Sequence, residues 1–254
     1  MHDVLESRPG VGTLFFPLNC RIYCGKTGQF YLKYLLWELT MKTTEVDVFF
    51  ADTRDHDCDE MVGQLGRDCM ERLARITHPC RREQFILGRF LLRHALRHKH
   101  GTVAEGWILD AASGKPYLSG VGAPEISLSH SRELVACAIA PVAVGLDVEY
   151  CRERDFVALA EQICGPAELR HFLSLPVFER SLGFYRMWTL KEATFKLYGR
   201  DNVQPGNPMP LAFHASGLRY QYFWPGVDFF AALVARTDCT LCLKVHPPSS
   251  VRSK

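Results

Sequence analysis

Two stretches of alternating apolar residues constrain the fold of this chain more than any other feature of its sequence. Residues 45–50 read Glu-Val-Asp-Val-Phe-Phe, and residues 143–149 read Ala-Val-Gly-Leu-Asp-Val-Glu. An apolar residue at every second position is typical of a β-strand with one face in the core. Each stretch is followed by segments with helical periodicity, so the sequence predicts two strand-led units of similar size. We therefore expect an α+β fold made of two similar α/β halves.

The remaining elements are predicted from periodicity and from turn residues. Gly199 is the expected end of the last helix, and a Gly-Lys-Pro turn at 114–116 precedes a strand. The predicted helices are 60–78, 81–100, 156–164, 167–175 and 184–198. The further predicted strands are 107–109, 124–127, 134–140, 212–218, 220–224, 229–234 and 241–245.

The same patterns divide the chain into segments. Residues 1–40 lack strict periodicity, and we interpret them as an N-terminal extension that is either disordered or an over-extended start. Residues 41–141 are the predicted N-terminal half. Residues 142–246 are the predicted C-terminal half and carry a predicted metal site. Residues 247–254 are interpreted as a tail.

Composition excludes several classes of protein. With 47% hydrophobic and 23% charged residues, the chain has the composition of a compact soluble protein. A formal net charge of +2 is too small to indicate a nucleic-acid binder, so an anionic ligand must be held by a local cluster of charges. No run of about 20 apolar residues is present, and no membrane span is predicted.

The ten cysteines do not predict a disulfide framework. Basic residues interrupt the short apolar stretches near the start, so no signal peptide is predicted and a cytoplasmic location is expected. The tightest pairs, Cys20 with Cys24 and Cys239 with Cys242, lack a second Cys or His pair nearby. Free thiols are therefore favoured, and a zinc site is the alternative. We also expect a monomer.

Two carboxylates stand two residues apart on the second alternating strand. Because residues i and i+2 of a strand point to the same side, Asp147 and Glu149 are expected to project together. Magnesium binds a few carboxylates together with phosphate oxygens and water, so the pair predicts a magnesium site. Taken alone, the pair is also compatible with a solvated strand end.

A charged pair lies on the predicted helix that follows. Residues 188–196 read Trp-Thr-Leu-Lys-Glu-Ala-Thr-Phe-Lys, which places Glu192 and Lys196 one helical turn apart. Such a pair is often an exposed ion pair. Apolar neighbours on this helix favour the alternative in which both charges point inward and need a metal, a phosphate or each other.

A polar segment and a basic turn supply further candidates. Residues 126–131 read Ile-Ser-Leu-Ser-His-Ser, so Ser129 and His130 can donate hydrogen bonds to a phosphate oxygen. An ordinary polar turn is the alternative, and a hydrolase is disfavoured because no Gly-x-Ser-x-Gly elbow accompanies the segment. Lys115 and Pro116 form a turn in which a lysine is commonly exposed.

The order and spacing of these segments resemble one known family. The set 114–116, 126–131, 144–149 and 188–196 resembles the Sfp-type phosphopantetheinyl transferases, in the variant whose last motif reads Trp-x-x-Lys-Glu-Ala. The resemblance implies two α/β halves forming a pseudo-dimer with coenzyme A in the cleft between them. It also implies transfer of phosphopantetheine from coenzyme A, with Mg²⁺ as cofactor, to a serine of an apo acyl or peptidyl carrier protein.

The resemblance also implies roles for individual residues. Asp147, Glu149 and Glu192 would bind Mg²⁺, and Glu192 would take the proton from the carrier serine. Lys196 and His130 would contact the phosphates.

The nucleotide end of coenzyme A would be bound by a second group of residues. Ser129, Lys115 and Pro116 belong to this group by the same resemblance. Arg81, Arg82 and Arg89 are candidates for the same end, and the sequence does not choose between them. Many relatives have Asn-Ile or Asn-Val where this chain has Ser-Leu at 127–128, which puts one hydrogen bond in doubt.

Two other functions fit the same residues. A metal-dependent nucleotide phosphohydrolase would use three acids, a lysine and a histidine equally well. A coenzyme A binding module without catalysis is the second alternative, although binding alone would not need the whole set. The sequence does not identify the carrier protein, nor does it distinguish coenzyme A from an acylated form.

Overall fold

Mostly antiparallel strands and separate runs of helices make this an α+β protein. The structure is a computed structural model, and it describes residues 42–101, 108–110, 116–198 and 217–246. The strands are β1 (Thr43–Asp52), β2 (Ile108–Asp110), β3 (Tyr117–Ser119), β4 (Glu125–Ser131), β5 (Leu134–Ala140), β6 (Val144–Tyr150), β7 (Leu218–Gly226), β8 (Phe229–Arg236) and β9 (Thr240–His246). The α-helices are α1 (Cys58–Val62), α2 (Arg67–Leu73), α3 (Pro79–His100), α4 (Phe156–Ile163), α5 (Pro166–Ser174) and α6 (Arg180–Tyr198). Two 3₁₀ turns span Thr53–Asp55 and Val177–Glu179.

Two larger sheets organise these elements. The first sheet has the order β4-β5-β1-β9, in which β1 and β9 are parallel and the other pairs are antiparallel. The second sheet has the order β6-β8-β7 and is antiparallel throughout, and β2 and β3 form a short hairpin-like pair. The last strand is anchored by His246, whose Nε2 lies 2.9 Å from Oδ1 of Asp47.

The core lies on both faces of each larger sheet. Val46 and Val48 of β1 share one buried cluster with Leu146 of β6 and Leu233 of β8, so the two sheets bury apolar residues against each other. Helix α3 covers the other face of the first sheet, and α6 packs against the second sheet. Strands buried on both faces read as near-continuous apolar runs, and β5 is buried at every position.

The edges of the two sheets meet at a row of serine hydroxyls, here called the serine seam. Strands β4 and β6 do not form a continuous ladder of main-chain hydrogen bonds. Instead, alternate serines of β4 accept hydrogen bonds from main-chain amides of β6. Each amide lies 19 residues after its serine, and because this separation is constant the two strands run parallel. The three bonds are Leu146 N to Ser127 Oγ (2.9 Å), Val148 N to Ser129 Oγ (3.1 Å) and Tyr150 N to Ser131 Oγ (3.0 Å). The seam satisfies buried amide groups that an open sheet edge would leave unpaired.

Most predicted elements are confirmed within the described residues. The strand at 143–149 is β6, the helix at 184–198 is α6, and the strand at 241–245 is β9. Pro79 at the first turn of α3 explains why that helix begins two residues before the predicted start at 81. Several predictions lie outside the described residues. They concern residues 1–40, Lys115, Gly199, residues 212–216 of a predicted strand, and the tail at 247–254.

Three local predictions need correction. The helix predicted at 60–78 is two short helices, because Gly63 ends α1 and Gly66 precedes α2. The strand predicted at 124–127 extends to Ser131, and the pair β2–β3 includes an unpredicted strand at Tyr117–Ser119.

Among the described helices, none is long and apolar enough to cross a membrane.

Candidate active site

Close packing of α6 against β6 brings the two charged motifs together. A Cβ atom on Gly145 would lie 1.9 Å from the carbonyl oxygen of Ala193 and 2.8 Å from the amide nitrogen of Leu197. Only a glycine permits this approach of helix to strand. As a result, Lys196 of α6 reaches Asp147 of β6, two residues beyond the glycine.

One cleft of about 490 Å³ contains the predicted site residues that the structure describes. Its walls come from α3, from the strands on both sides of the serine seam and from α6. The predicted residues that line the cleft are Arg81, Arg89, Pro116, Ser129, His130, Asp147, Glu149, Glu192 and Lys196.

Asp147 is a buried carboxylate with one satisfied and one unsatisfied oxygen. Its Oδ1 accepts hydrogen bonds from Lys196 Nζ at 2.7 Å and from Ser129 Oγ at 3.1 Å. Its Oδ2 is buried and has no hydrogen-bond partner within the described residues. Burial raises the pKa of Asp147 to about 7, with Glu149 and Glu192 adding to the rise and Lys196 opposing it. The free oxygen is therefore in a position to accept a cation.

Glu149 is fixed by a hydrogen bond to each of its oxygens. Trp188 Nε1 donates to Oε1 at 2.7 Å, and Ser131 Oγ donates to Oε2 at 3.1 Å. A carboxylate oxygen has two lone pairs, so each oxygen still has acceptor capacity after receiving one hydrogen bond. Glu149 is thus oriented and still able to bind a ligand.

Glu192 and Lys196 occupy the helical side of the cleft. Burial raises the pKa of Glu192, Lys196 opposes this rise, and Glu149 adds to it. Lys196 Nζ contacts Ser129 Oγ at 2.8 Å in addition to Asp147. Both side chains line the cleft, and Lys196 remains 26% exposed.

The acidic end of the cleft fits a magnesium ion that binds together with a phosphate. In the described ranges, no three His, Cys, Asp or Glu side chains are grouped so that they could hold a metal ion, so the structure does not gather Asp147, Glu149 and Glu192 as a three-ligand set. Mg²⁺ usually takes only one or two carboxylates and completes its shell with water and substrate phosphate oxygens. The unpartnered Oδ2 of Asp147 beside Glu149 supplies such a partial shell.

Cationic residues also line the cleft. Arg81 and Arg89 of α3 line it, and the guanidinium of Arg89 lies 4.7 Å from the centre of the Phe85 ring. Burial lowers the pKa of His130 to about 3, and the charges of Arg81 and Lys196 add to this effect. A neutral imidazole beside these two cations is suited to donating one N–H to an anionic ligand.

Three further residues near the motifs have structural contacts, and one of them, Arg82, was a candidate for the nucleotide end. Arg82 does not line the cleft; its Nη1 donates to the carbonyl of Leu73 at 3.0 Å and so caps the end of α2. Lys191 of the Trp-x-x-Lys-Glu-Ala segment forms a buried ion pair with Glu168 at 2.8 Å. Ser127 accepts a hydrogen bond from the amide of Leu146 at 2.9 Å.

Sequence analysis missed three residues of the site. Arg72 of α2 lines the cleft and lies over the Phe85 ring at 5.8 Å from its centre. Trp188 and Ser131 hold Glu149. The signal that could have found Ser131 is its two-residue spacing from Ser129, because alternate residues of a strand share a face.

Comparisons with known proteins agree with this geometry. A family model described as the 4'-phosphopantetheinyl transferase superfamily matches residues 143–221, which include β6 and α6. The 4'-phosphopantetheinyl transferase HetI of Nostoc sp. is 32% identical over 169 residues, which are 63% of this chain and 71% of that protein.

Two further relatives carry the same description. The 4'-phosphopantetheinyl transferase psf-1 of Bacillus pumilus is 31% identical over 116 residues, which are 45% of this chain and 49% of the relative. The 4'-phosphopantetheinyl transferase Sfp of Bacillus subtilis is 22% identical over 148 residues, or 58% of this chain and 66% of the relative. The chain therefore spans between about half and about seven tenths of the length of these relatives.

Proposed function

The chain belongs to the 4'-phosphopantetheinyl transferase superfamily, and from this membership we propose that it transfers phosphopantetheine from coenzyme A to a serine of an apo acyl or peptidyl carrier protein. The serine oxygen forms a bond to the phosphorus that carries the pantetheine arm. The bond from that phosphorus to the bridging oxygen of the pyrophosphate breaks, and adenosine 3',5'-bisphosphate leaves. The observation that carries the proposal is one cleft lined both by the carboxylates of Asp147, Glu149 and Glu192 and by the cations Lys196, Arg81 and Arg89.

The acidic end is proposed to hold Mg²⁺ through Asp147, Glu149 and Glu192. When bound, the ion would offset the negative charge of the pyrophosphate and the charge that develops during transfer. The unpartnered Oδ2 of Asp147 supports this assignment, since a buried oxygen without a partner favours a ligand.

Glu192 is proposed to accept the proton of the carrier serine. A general base must lie on the cleft wall, within reach of the incoming hydroxyl, and Glu192 lines that wall. Burial, reinforced by Glu149, raises its pKa, which makes its carboxylate a better proton acceptor than an exposed glutamate.

Lys196, His130 and the arginines are proposed to bind the phosphates. Lys196 would stabilise the departing bisphosphate as a point charge. His130 would donate an N–H, and Arg81, Arg89 and Arg72 would surround the nucleotide end. Pro116, Ser129 and Lys115 are proposed to contribute to the same end, Lys115 by the family resemblance alone.

The fold and the partner surface complete the proposal. We propose that residues 41–141 and 142–246 are the two halves of a pseudo-dimer, with β1 and β6 as corresponding strands. The carrier protein is proposed to dock near residues 172–185, where Val177 and Phe178 are 76% and 83% exposed. Arg180 and Arg186 beside them would suit an acidic partner. The protein is expected to act as a monomer in the cytoplasm.

Incubation with several purified apo-carriers, coenzyme A and Mg²⁺ tests this function. Mass spectrometry should show the addition of one phosphopantetheine to at least one carrier, and the addition should disappear when the target serine is replaced by alanine. A metal-dependent phosphohydrolase would instead cleave coenzyme A or a nucleotide at the same rate without any carrier. A binding module would retain coenzyme A and modify no carrier.

A further inference from the structure

We propose that Ser131 and Trp188 are positioning residues that hold Glu149 in its ligand-binding orientation, so that the serine seam joins the sheets and also orients the metal site. This inference rests on the proposed function, because it takes Glu149 as a ligand of Mg²⁺. The residues act from opposite sides: Ser131 lies on β4, and Trp188 lies on α6.

The contacts of Glu149 form a two-sided clamp. Trp188 Nε1 donates to Oε1 at 2.7 Å and Ser131 Oγ donates to Oε2 at 3.1 Å. The Trp188 ring is itself held by stacking on Phe184, with ring centres 6.3 Å apart and planes 7° apart. A glutamate has three rotatable side-chain bonds, so two fixed donors remove most of its freedom before any ligand binds.

Ser131 has two functions in one hydroxyl group. Its oxygen accepts the Tyr150 amide at 3.0 Å, and its hydrogen is donated to Glu149. Ser129 has the same pattern one position earlier on the same strand face, with the Val148 amide and Asp147 as its partners. The seam therefore orients the carboxylate of each proposed β6 ligand with one serine.

Ser127 provides an internal comparison. Its oxygen accepts the Leu146 amide at 2.9 Å, as in the other two positions of the seam. The β6 residue that corresponds to Asp147 and Glu149 in this pattern is Gly145, which has no side chain, so the hydroxyl of Ser127 does not orient a carboxylate of that strand. Loss of the Ser127 hydroxyl therefore tests the seam alone, whereas loss of the Ser131 hydroxyl tests the seam and the clamp.

The experiment measures Mn²⁺ affinity by electron paramagnetic resonance, with saturating coenzyme A and no carrier protein, so that no turnover occurs. Ser131→Ala should weaken Mn²⁺ binding about 10-fold or more, the typical effect of losing a residue that orients a ligand. Ser127→Ala should leave Mn²⁺ affinity within about twofold of the parent protein. Both variants should show a similar fall in melting temperature, since each leaves one buried amide unpaired. Ser131→Thr, which keeps a hydroxyl, should recover most of the affinity.

Equal Mn²⁺ affinities of Ser131→Ala and Ser127→Ala would overturn the proposal. If Ser131→Ala does not fold, Trp188→Phe removes the N–H that reaches Oε1 and leaves the seam intact. It should also weaken Mn²⁺ about 10-fold, and an unchanged affinity would count against the clamp.

Glu149→Ala separates this inference from the proposed function. If Glu149→Ala abolishes Mn²⁺ binding while Ser131→Ala and Trp188→Phe have no effect, the clamp is wrong and the metal assignment stands. If Glu149→Ala itself binds Mn²⁺ as the parent does, the metal assignment fails and the clamp fails with it.

Discussion

Lys196 and Asp147 form an ion pair that uses only one oxygen of the carboxylate. Nζ of Lys196 lies 2.7 Å from Oδ1, whereas Oδ2 is buried and lacks a hydrogen-bond partner among the described residues. A buried carboxylate oxygen without a partner is destabilising unless it binds a ligand. The pair is therefore suited to a site in which a cation and a phosphate bind together, with the cation at Oδ2 and the phosphate near Nζ.

The first prediction separates the roles of Lys196 and Glu192. Lys196→Ala removes a phosphate contact, so it should weaken coenzyme A binding by about 1.5–3 kcal/mol, roughly tenfold to hundredfold, and also slow transfer. Glu192→Gln keeps the size of the side chain and removes its charge, so it should lower turnover far more than affinity. Calorimetric titration of coenzyme A, paired with initial rates on one apo-carrier, measures both. A Lys196→Ala protein with parental affinity and rate would refute the phosphate role.

The second prediction concerns the metal ligand on β6. Asp147→Ala should abolish Mg²⁺-dependent transfer, because it removes the buried oxygen that is available to the ion. The fold should survive, because the Lys196 side chain is 26% exposed and can turn to solvent, while Ser129 still accepts the Val148 amide. Initial rates over a Mg²⁺ titration test the first part, and circular dichroism tests the second. Substantial activity in a normally folded Asp147→Ala protein would rule out this ligand.

The third prediction concerns the packing of α6 on β6. Gly145→Ala places a methyl group 1.9 Å from a backbone oxygen that cannot rotate away, so it should destabilise the protein by about 3 kcal/mol or more and reduce transfer. Gly88→Ala is the matched control, because its methyl would meet only Val135 Cγ1 at an ordinary 3.6 Å. Since Gly88 lies inside helix α3, that change should stabilise by up to about 1 kcal/mol. Urea unfolding measures the free energy of unfolding of both variants. Equal values for Gly145→Ala and Gly88→Ala would contradict the close packing of α6 on β6.

The fourth prediction concerns pH. The folded protein lowers the pKa of His130 from 6.5 to about 3, so the unfolded chain binds this proton first. The corresponding stability is fully present above pH 6.5 and is lost as the pH falls towards 3. His130→Gln should therefore lose less stability than the parent between pH 7 and pH 5 in urea unfolding. His171→Gln, at an exposed position of α5, is the control and should follow the parent. Parallel pH profiles for His130→Gln and the parent would disprove a neutral buried His130.

The fifth prediction concerns the start of the chain. A protein that begins at Met41 should be soluble, should melt cooperatively and should transfer phosphopantetheine. The physical reason is that residues 42–254 form one compact unit, in which β1 begins at Thr43. Differential scanning calorimetry and the carrier assay check this expectation. Aggregation or loss of activity would show instead that residues 1–40 contribute to the core.

The sequence predicted those parts of the site that depend on local periodicity. Asp147 and Glu149 share a strand face, and Glu192 and Lys196 share a helix face, because periods of 2.0 and 3.6 residues are visible in one segment. The break between α1 and α2 was missed because apolar residues kept helical spacing across Gly63 and Gly66.

Contacts between distant segments left no comparable signal. The hydrogen bond from Ser131 to Glu149 joins two strands, and its existence depends on how the edges of two sheets meet. The pairing of β9 with β1 likewise depends on the whole topology. Arg82 was a reasonable phosphate candidate from sequence, but only the position of α2 explains why it caps that helix.

The pairing of β1 with β9 affects how the protein can form during synthesis on the ribosome. Thr43 faces Thr240 in this parallel pair, so β1 cannot gain β9 as a neighbour until almost the whole described chain has been translated. Until then, one edge of β1 has unpaired amide and carbonyl groups that other strands can bind. Nascent chains stalled before Thr240 should therefore be the aggregation-prone species, and a chaperone would be needed most at that stage.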